Sequence, residues 1–293
     1  MGGLRIAAGL VTILVITGVV VIALAYWQFT RAVAVDLVRL SSDARSPGAL
    51  ITDAMLAPLP PAAQRYFRYA GVVERPVPRL VRLTQKGRIR NSETASWMDF
   101  EADETYSTSP PAFIWRAWLP ARVMPVALGR DEYLEGKGSI LIKLLSLVPV
   151  ADEHGEQLAA AGLMRYLNES MWFPSALLGP NAAISPVDDS TFRVTLTDRG
   201  MTAEALFVVD GEGRLVTFRA QRFNTASNSV ESWETPVAGY RSINGLNLPT
   251  TGSAVWKRPA GDLTYIELEV TSLSYEQGVP RDPIKVAASD ILQ

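Results

Sequence analysis

An uncharged run near the amino terminus constrains this chain more than any other feature. Residues Ile6 to Trp27 read IAAGLVTILVITGVVVIALAYW and contain no charged side chain. As a helix the run spans roughly 33 Å, enough to cross a hydrocarbon core of about 30 Å. Tyr26 and Trp27 close it with the aromatic pair that is typical of a membrane interface. We therefore expect residues 1–28 to form a single-pass transmembrane anchor.

Two alternatives concern this anchor. Ala23-Leu24-Ala25 is an A-x-A pattern, so the run could instead be a cleaved signal peptide. The positive-inside rule, counted over Arg31, Arg39 and Arg45, favours a cytoplasmic carboxy-terminal domain. A short tail followed at once by an apolar run is typical of an exported signal anchor, and long domains translocate largely regardless of charge. We favour a bacterial inner-membrane protein whose carboxy-terminal domain is periplasmic.

Composition excludes several classes of function. The formal net charge is −2, which gives no electrostatic field that would attract nucleic acid, and we expect no nucleic-acid partner. Cysteine is absent, which rules out disulfides, thiolate metal sites and cysteine nucleophiles. The 28 basic residues are mostly arginine, a bias that suggests a GC-rich bacterial genome.

Residues 29–59 are predicted to form a juxtamembrane helix and a linker. Val33, Leu37 and Leu40 have helical spacing, which indicates either a continuation of the anchor or a short interfacial helix. Ser46-Pro47-Gly48 should break this helix. The next helix is predicted over PAAQRYFRYAG, with proline in its first turn and Gly71 as its C-cap.

Alternation with a period of two follows and predicts antiparallel strands over most of residues 60–278. Val81, Leu83 and Ile89 should face the core, as should the even residues of Met98 to Ala102. Their neighbours form a basic row and an acidic row, typical of a solvated sheet surface. FIWRAWL (113–119) is apolar on both faces. SILIKLLSLVPV (139–150) is either fully buried or in contact with the bilayer.

Residues 152–179 are predicted to be a helix and a hydrophobic elbow inserted between two sets of strands. Asp152, Glu153 and Glu156 would occupy the first helical turn. One stripe of the helix is apolar, and the opposite side carries the polar residues Gln157, Arg165, Asn168 and Glu169. Pro174 should end it. Strands resume after Pro180, with hairpin turns at 210–213 and 244–245, and residues 279–293 are predicted to be a loose tail.

This order of elements predicts an α+β fold with one curved antiparallel sheet and helices on its concave side. Residues 59–275 resemble a bacterial family of unknown function. The resemblance rests on QRYFRYAGVV (64–73), LTQKGRIR (83–90), VPVADEHG (148–155), RYLNESMWFPSALLG (165–179) and GLNLPTTGSAVW (245–256). The fold that this resemblance implies is similar to the half-barrel of periplasmic lipoprotein carriers of the LolA/LolB type. The resemblance implies no catalytic residues.

The search for catalytic chemistry finds no H-E-x-x-H, G-x-S-x-G or P-loop motif. His154 is the only histidine and is interpreted as solvated. Asp131-Glu132 and Asp188-Asp189 could bind Ca²⁺, but adjacent acids in turns usually face water, so no metal and no cofactor are predicted. The remaining candidates are large apolar side chains that either belong to the core or line a ligand cavity. They are Trp115, Trp118, Met164, Leu167, Met171, Trp172, Phe173 and Trp256.

Three functions remain open on these observations. The first is a non-catalytic, membrane-tethered carrier or binder of a lipid or other apolar ligand. The second is an accessory or assembly subunit that docks on a membrane protein complex. The third is an enzyme that would use carboxylates and arginine alone. We favour the first, with membrane lipids as partners.

Overall fold

The computed structural model describes residues 2–45, 50–120, 122 and 125–277. The helices within these ranges are α1 (Gly2–Asp43), α2 (Asp53–Leu56), α3 (Pro61–Ala70) and α4 (Glu156–Glu169), and 3-10 turns cover Ser170–Trp172 and Pro174–Leu178. The strands, in chain order, are β1 (Leu80–Ile89), β2 (Met98–Thr108), β3 (Pro111–Leu119), β4 (Ala127–Leu134), β5 (Lys137–Leu144), β6 (Val148–His154), β7 (Ala182–Pro186), β8 (Thr191–Asp198), β9 (Met201–Val209), β10 (Leu215–Asn224), β11 (Ser229–Ala238), β12 (Arg241–Ile243), β13 (Leu246–Leu248), β14 (Thr251–Lys257) and β15 (Leu263–Glu276). The predicted helix breaker at 46–48 and the predicted tail at 279–293 lie outside the described residues.

The described strands form one large antiparallel sheet in the order β6-β5-β4-β3-β2-β1-β15-β14-β11-β10-β9-β8-β7, while β12 and β13 pair separately. The amino-terminal half, β1 to β6, joins the carboxy-terminal half where β1 pairs with β15. Neighbouring strands in a sheet are rotated by about −20 to −25°, so a sheet of this width curls into a half-barrel. The predicted α+β fold with a single curved antiparallel sheet is confirmed.

The outer face of the sheet is covered by the second half of α1. Phe29, Val33 and Leu40 are buried there against Ile114 and Trp118. Residues 30–43 therefore continue the apolar helix and do not form a separate interfacial helix. The apolar window in the first half of α1 is exposed. Among the described segments, it is the one that is long and apolar enough to cross a membrane, and it suits either an anchor or a signal sequence.

The concave face holds α3 and α4. α3 has the predicted bounds, and its C-cap Gly71 adopts a left-handed φ of 78°. α4 packs on strands from both halves of the sheet, on β5 and on β9 and β10. Gly162 allows this close approach, because a Cβ there would lie 3.2 Å from the Cβ of Tyr133. The helix therefore bridges the two halves of the half-barrel.

Three local predictions need correction. Asp152 and Glu153 belong to β6 and not to the helix, because they pair with Leu141 and Ile140 of β5. Met98 is exposed, since it begins β2 at an open end of the sheet. Alternation along the last strand, with Ile266 and Leu268 inward, predicts that Tyr265 faces outward, but Tyr265 stacks on Trp256 with ring centroids 5.7 Å apart. The β-bulge between Ala254 and Val255 shifts the register there.

Candidate ligand-binding site

A cavity of about 710 Å³ lies between the two halves of the sheet, beneath α4. This volume falls within the range of small-molecule sites. Its walls are mostly apolar and come from β1 to β6, α4, the elbow after α4, and β10, β11, β14 and β15. The main apolar residues in the walls are Trp115, Ile140, Ile142, Leu158, Met171, Trp172, Trp233, Trp256, Ile266 and Leu268.

Four of the predicted candidates come together in this cavity: Trp115, Met171, Trp172 and Trp256. Met171 and Trp172 form its closed inner wall and are buried. Trp172 is fixed there because its Nε1 donates a hydrogen bond to the carbonyl oxygen of Pro249 at 3.1 Å, and its own carbonyl accepts one from the Tyr275 hydroxyl. The elbow thus forms a rigid wall with an apolar surface toward the cavity.

The other four candidates lie outside the cavity lining. Trp118 is three residues from Trp115 on the same strand, so the period of two places it on the opposite face. There its Nε1 donates a hydrogen bond to the Tyr26 hydroxyl of α1 at 3.3 Å. Phe173 packs in the core against Tyr106, with ring centroids 4.8 Å apart. The same core holds Met164 and Leu167, which are buried.

A buried group of charges forms one side of the cavity. The guanidinium of Arg165 donates to Glu104 at 2.9 Å, to Asp131 at 2.6 Å and to Glu169 at 2.8 Å. The second carboxylate oxygen of Glu104 accepts a hydrogen bond from Gln85 at 2.9 Å. These contacts connect α4 to β1, β2 and β4. We call these five residues the Arg165 cluster.

Burial dominates the electrostatics of the Arg165 cluster. Glu104 has no exposed side-chain surface. Its burial raises the pKa of the carboxyl well above the usual range, and the positive charge of Arg165 opposes this shift without cancelling it. Burial also raises the pKa of the neighbouring Tyr106 hydroxyl, which donates to Glu169 at 3.2 Å. Tyr106 therefore remains protonated and serves as a hydrogen-bond donor.

The contacts of the Arg165 cluster indicate a brace rather than a reactive centre. Three carboxylates converge on one guanidinium, and both oxygens of Glu104 are already hydrogen-bonded. Among the described residues, no group of three His, Cys, Asp or Glu side chains is arranged to hold a metal. His154 lies at the end of β6, away from this cluster, and its side chain is exposed.

Sequence reasoning missed this cluster although part of its signal was present. Glu104 lies on the same face of β2 as the buried residues Ala102 and Tyr106. The alternation therefore already places a carboxylate in the core. Arg165 and Glu169 lie on the predicted polar side of the helix, but their side chains are largely buried. A single amphipathic pattern implies one buried face, whereas α4 is covered by both halves of the sheet.

A second arginine in the cavity wall has different surroundings. Arg222 lies over the ring of Trp233 at 4.6 Å and near that of Trp256 at 6.0 Å. Its guanidinium donates to the carbonyl oxygen of Ala161 at 3.4 Å and to the Tyr265 hydroxyl at 3.3 Å. Sequence analysis did not single out this residue, because an arginine on a strand is ordinarily solvated.

The cavity opens at one end of the amino-terminal strands. The register places Ile89 beside Met98, Leu119 beside Ala127, and Ala127 beside Leu144 at this end. Met98, Leu144 and Val150 all line the cavity here and are exposed. We call this the open end of the half-barrel.

Comparisons with known proteins give no specific function. The LolA superfamily protein from Nitrosomonas europaea is similar at 10% identity and a TM-score of 0.42, with coverage of 83% of this chain and 100% of that one. A DUF1329 family protein from Desulfovibrio piger is similar at 10% identity and a TM-score of 0.42, with coverage of 78% and 95%. No curated protein matches the chain. Residues 49–268 match the family described as Family of unknown function (DUF6544), and because this match covers most of the chain, the protein belongs to that family.

Proposed function

We propose that this protein is a membrane-tethered binder of a lipid acyl chain or a comparable apolar molecule, and that it takes this ligand directly from the bilayer. The observation that carries the proposal is the position of the open end. The apolar cavity opens on the side of the domain from which the apolar half of α1 emerges.

The direction of α1 follows from two contacts at its ends. Tyr26 lies against Trp118, which is next to the last residue of β3 at the open end. Arg45, just after α1, donates a backbone hydrogen bond at 2.7 Å to Ser109, in the turn at the opposite end of β2 and β3. The exposed apolar segment before Tyr26 therefore extends past the open end. In a membrane, this segment places the open end next to the bilayer.

The strand tips at the open end have the composition of a surface that contacts lipid. Leu144, Leu145, Leu147 and Val148, at the turn between β5 and β6, are all exposed. Clustered large apolar side chains on a surface mark an interaction site. This segment belongs to the run 139–150, for which the sequence allowed either burial or contact with the bilayer. Contact with the bilayer would bury these four side chains.

The cellular setting is part of the proposal. We place α1 in a bacterial inner membrane as a retained single-pass anchor, with the half-barrel in the periplasm. The long continuous helix supports this, because its second half is docked on the domain and its first half is bare and apolar. Rigid attachment would hold the open end at a constant distance from the lipid.

The test is to purify the full-length protein in mild detergent and to analyse an organic extract by mass spectrometry. We expect a stoichiometric lipid in the wild type and its loss in Ile142→Glu, which places a carboxylate on the cavity wall. Val216→Glu is the matched control, because Val216 is exposed and does not line the cavity. A protein free of lipid that retains a stoichiometric protein partner would favour the accessory-subunit function instead.

A further inference from the structure

We propose that Arg222 and Tyr265 form a binding site for an anionic head group within the cavity. The inferred ligand is a single long acyl or alkyl chain that carries one carboxylate or phosphate group. This inference rests on the proposed function, because it assigns a chemical class to the ligand of the same cavity.

The charge of Arg222 provides the first argument. Within the described parts of the chain, no carboxylate oxygen lies within 4.0 Å of its guanidinium, whereas Arg165 in the same cavity contacts three carboxylates. Its side chain is held against the apolar rings of Trp233 and Trp256. A partly desolvated cation is stabilised by an anion and by hydrogen bonds, so an apolar cavity with such a cation in its wall favours an anionic ligand.

The nearest acid on the neighbouring strand is already occupied. Glu231 is the cross-strand partner of Arg222 on β11. Its carboxylate accepts a hydrogen bond from Arg258 at 2.8 Å and another from the Ser227 hydroxyl. Glu231 and Arg258 therefore neutralise each other, and within the described ranges no carboxylate forms an ion pair with Arg222.

Unused donors provide the second argument. The Tyr265 hydroxyl oxygen accepts hydrogen bonds from Arg222 at 3.3 Å and from the Trp233 indole at 3.2 Å. A hydroxyl has two acceptor positions and one proton, so both acceptor positions are filled. Among the described residues, the hydroxyl proton of Tyr265 and the Nη2 group of Arg222 have no hydrogen-bond acceptor. These adjacent donors match the oxygens of one carboxylate or phosphate.

The position of the pair suits an amphiphile. Arg222 precedes Phe223 and Asn224, which line the cavity where β10 ends. The apolar walls continue from there to the closed inner wall at Met171 and Trp172. An anionic head group at Arg222 would leave its chain in contact with these apolar walls.

The experiment compares three probes on the full-length protein in lipid nanodiscs: oleic acid, oleyl phosphate and oleyl alcohol. We expect the wild type to bind one or both anions at least about tenfold more tightly than the alcohol, the size of one charge-assisted contact. Arg222→Gln should remove this preference, because it should weaken binding of the anions far more than binding of the alcohol. Tyr265→Phe, which removes only the hydroxyl, should reduce the preference, and Arg222→Lys should keep part of it.

Arg219→Gln is the matched control, because Arg219 lies on the same strand, is exposed and is paired with Glu234 at 3.0 Å. It should behave as the wild type.

Equal binding of anions and alcohol by the wild type would overturn the head-group site and leave the proposed function intact. Equal losses for all probes in Arg222→Gln would show a structural arginine instead. Displacement of oleate by inorganic phosphate alone would contradict the requirement for an acyl or alkyl chain in the ligand. If the protein bound none of the three probes, the proposed function itself would be contradicted.

Discussion

Two arginines in the wall of one cavity have opposite surroundings. Arg165 is bonded to three carboxylates and connects α4 to the amino-terminal half of the sheet. Arg222 lies on two tryptophan rings in the carboxy-terminal half and has no carboxylate within 4.0 Å among the described residues. The first cation is satisfied by the fold, whereas the second is the one at which we propose that an anionic ligand binds.

The same contrast applies to apolar groups on the surface. Phe29 and Val33 of α1 are buried against the outer face of the sheet. Leu145 and Leu147, at the open end, remain exposed. Arg222 and the open end are two places where described groups lack a partner within the fold, and at these two places we propose ligand and membrane contacts.

The largest expected effect comes from breaking the Arg165 cluster. Arg165→Met would leave Glu104, Asp131 and Glu169 buried together without a cation. Removal of one partner from a buried ion pair costs about 3–5 kcal/mol, so the variant should unfold at a much lower temperature or fail to fold. The measurement is thermal unfolding in detergent. A variant as stable as the wild type would contradict the role of Arg165 as a brace.

Glu104→Gln tests the same cluster through its pH dependence. Burial raises the pKa of Glu104 above its ordinary value of 4.5. A raised pKa in the folded state means that the stability from this group is present at low pH and is lost as pH rises through the folded pKa. Gln cannot ionise, so the variant should lose less stability than the wild type as the pH rises from about 4.5 through the raised folded-state pKa of Glu104.

Denaturant unfolding at several pH values measures how steeply the free energy of unfolding changes with pH. Glu101→Gln is a suitable control, because Glu101 lies on the same strand and its side chain is about half exposed. Identical slopes in the wild type and in Glu104→Gln would show that Glu104 is already ionised over this range.

A smaller effect on stability is expected at Arg222. Arg222→Leu removes a cation without leaving any carboxylate unpaired, so we expect a change of only about 1 kcal/mol. The comparison with Arg165→Met, under the same conditions, should show a clear difference in melting temperature. Similar losses for both variants would mean that Arg222 also braces the fold.

The smallest effect on folding is expected at the open end. Leu147→Asp should change stability in detergent by no more than about 0.5 kcal/mol, because the side chain is exposed. Contact with lipid can be measured separately, since the chain has no cysteine and Leu145→Cys gives a single site for an environment-sensitive fluorophore. In nanodiscs the label should report an apolar environment.

Asp53→Cys is the control for this label. Asp53 lies in α2, which precedes β1 and is near the end of the half-barrel opposite the open end. Its label should report water in both detergent and nanodiscs. Equal emission from the two labels in nanodiscs would contradict the orientation that we propose for the domain.

The elements that the sequence predicted well depend on short-range periodicity. The alternation around Val81 and Leu83, the proline and glycine signals of α3 and the turn at 210–213 all appear in the structure where they were predicted. The residues just before α4 were predicted wrongly, because Asp152 and Glu153 suit a first helical turn as well as an edge strand. Their pairing with β5 decides between the two, and that contact is not local.

The sequence by itself determined which residues share a face of a strand or a helix. It also determined that one long segment is apolar enough to cross a membrane. Only the tertiary structure decided what covers each face. It put Trp115 in the cavity and Trp118 under α1, and it surrounded Arg165 with acids. Among the described residues it left no carboxylate within 4.0 Å of Arg222, which lies on tryptophan rings. The physical reason is that periodicity depends on the geometry of a single element, whereas burial, ion pairing and an unfilled cavity depend on how distant elements meet.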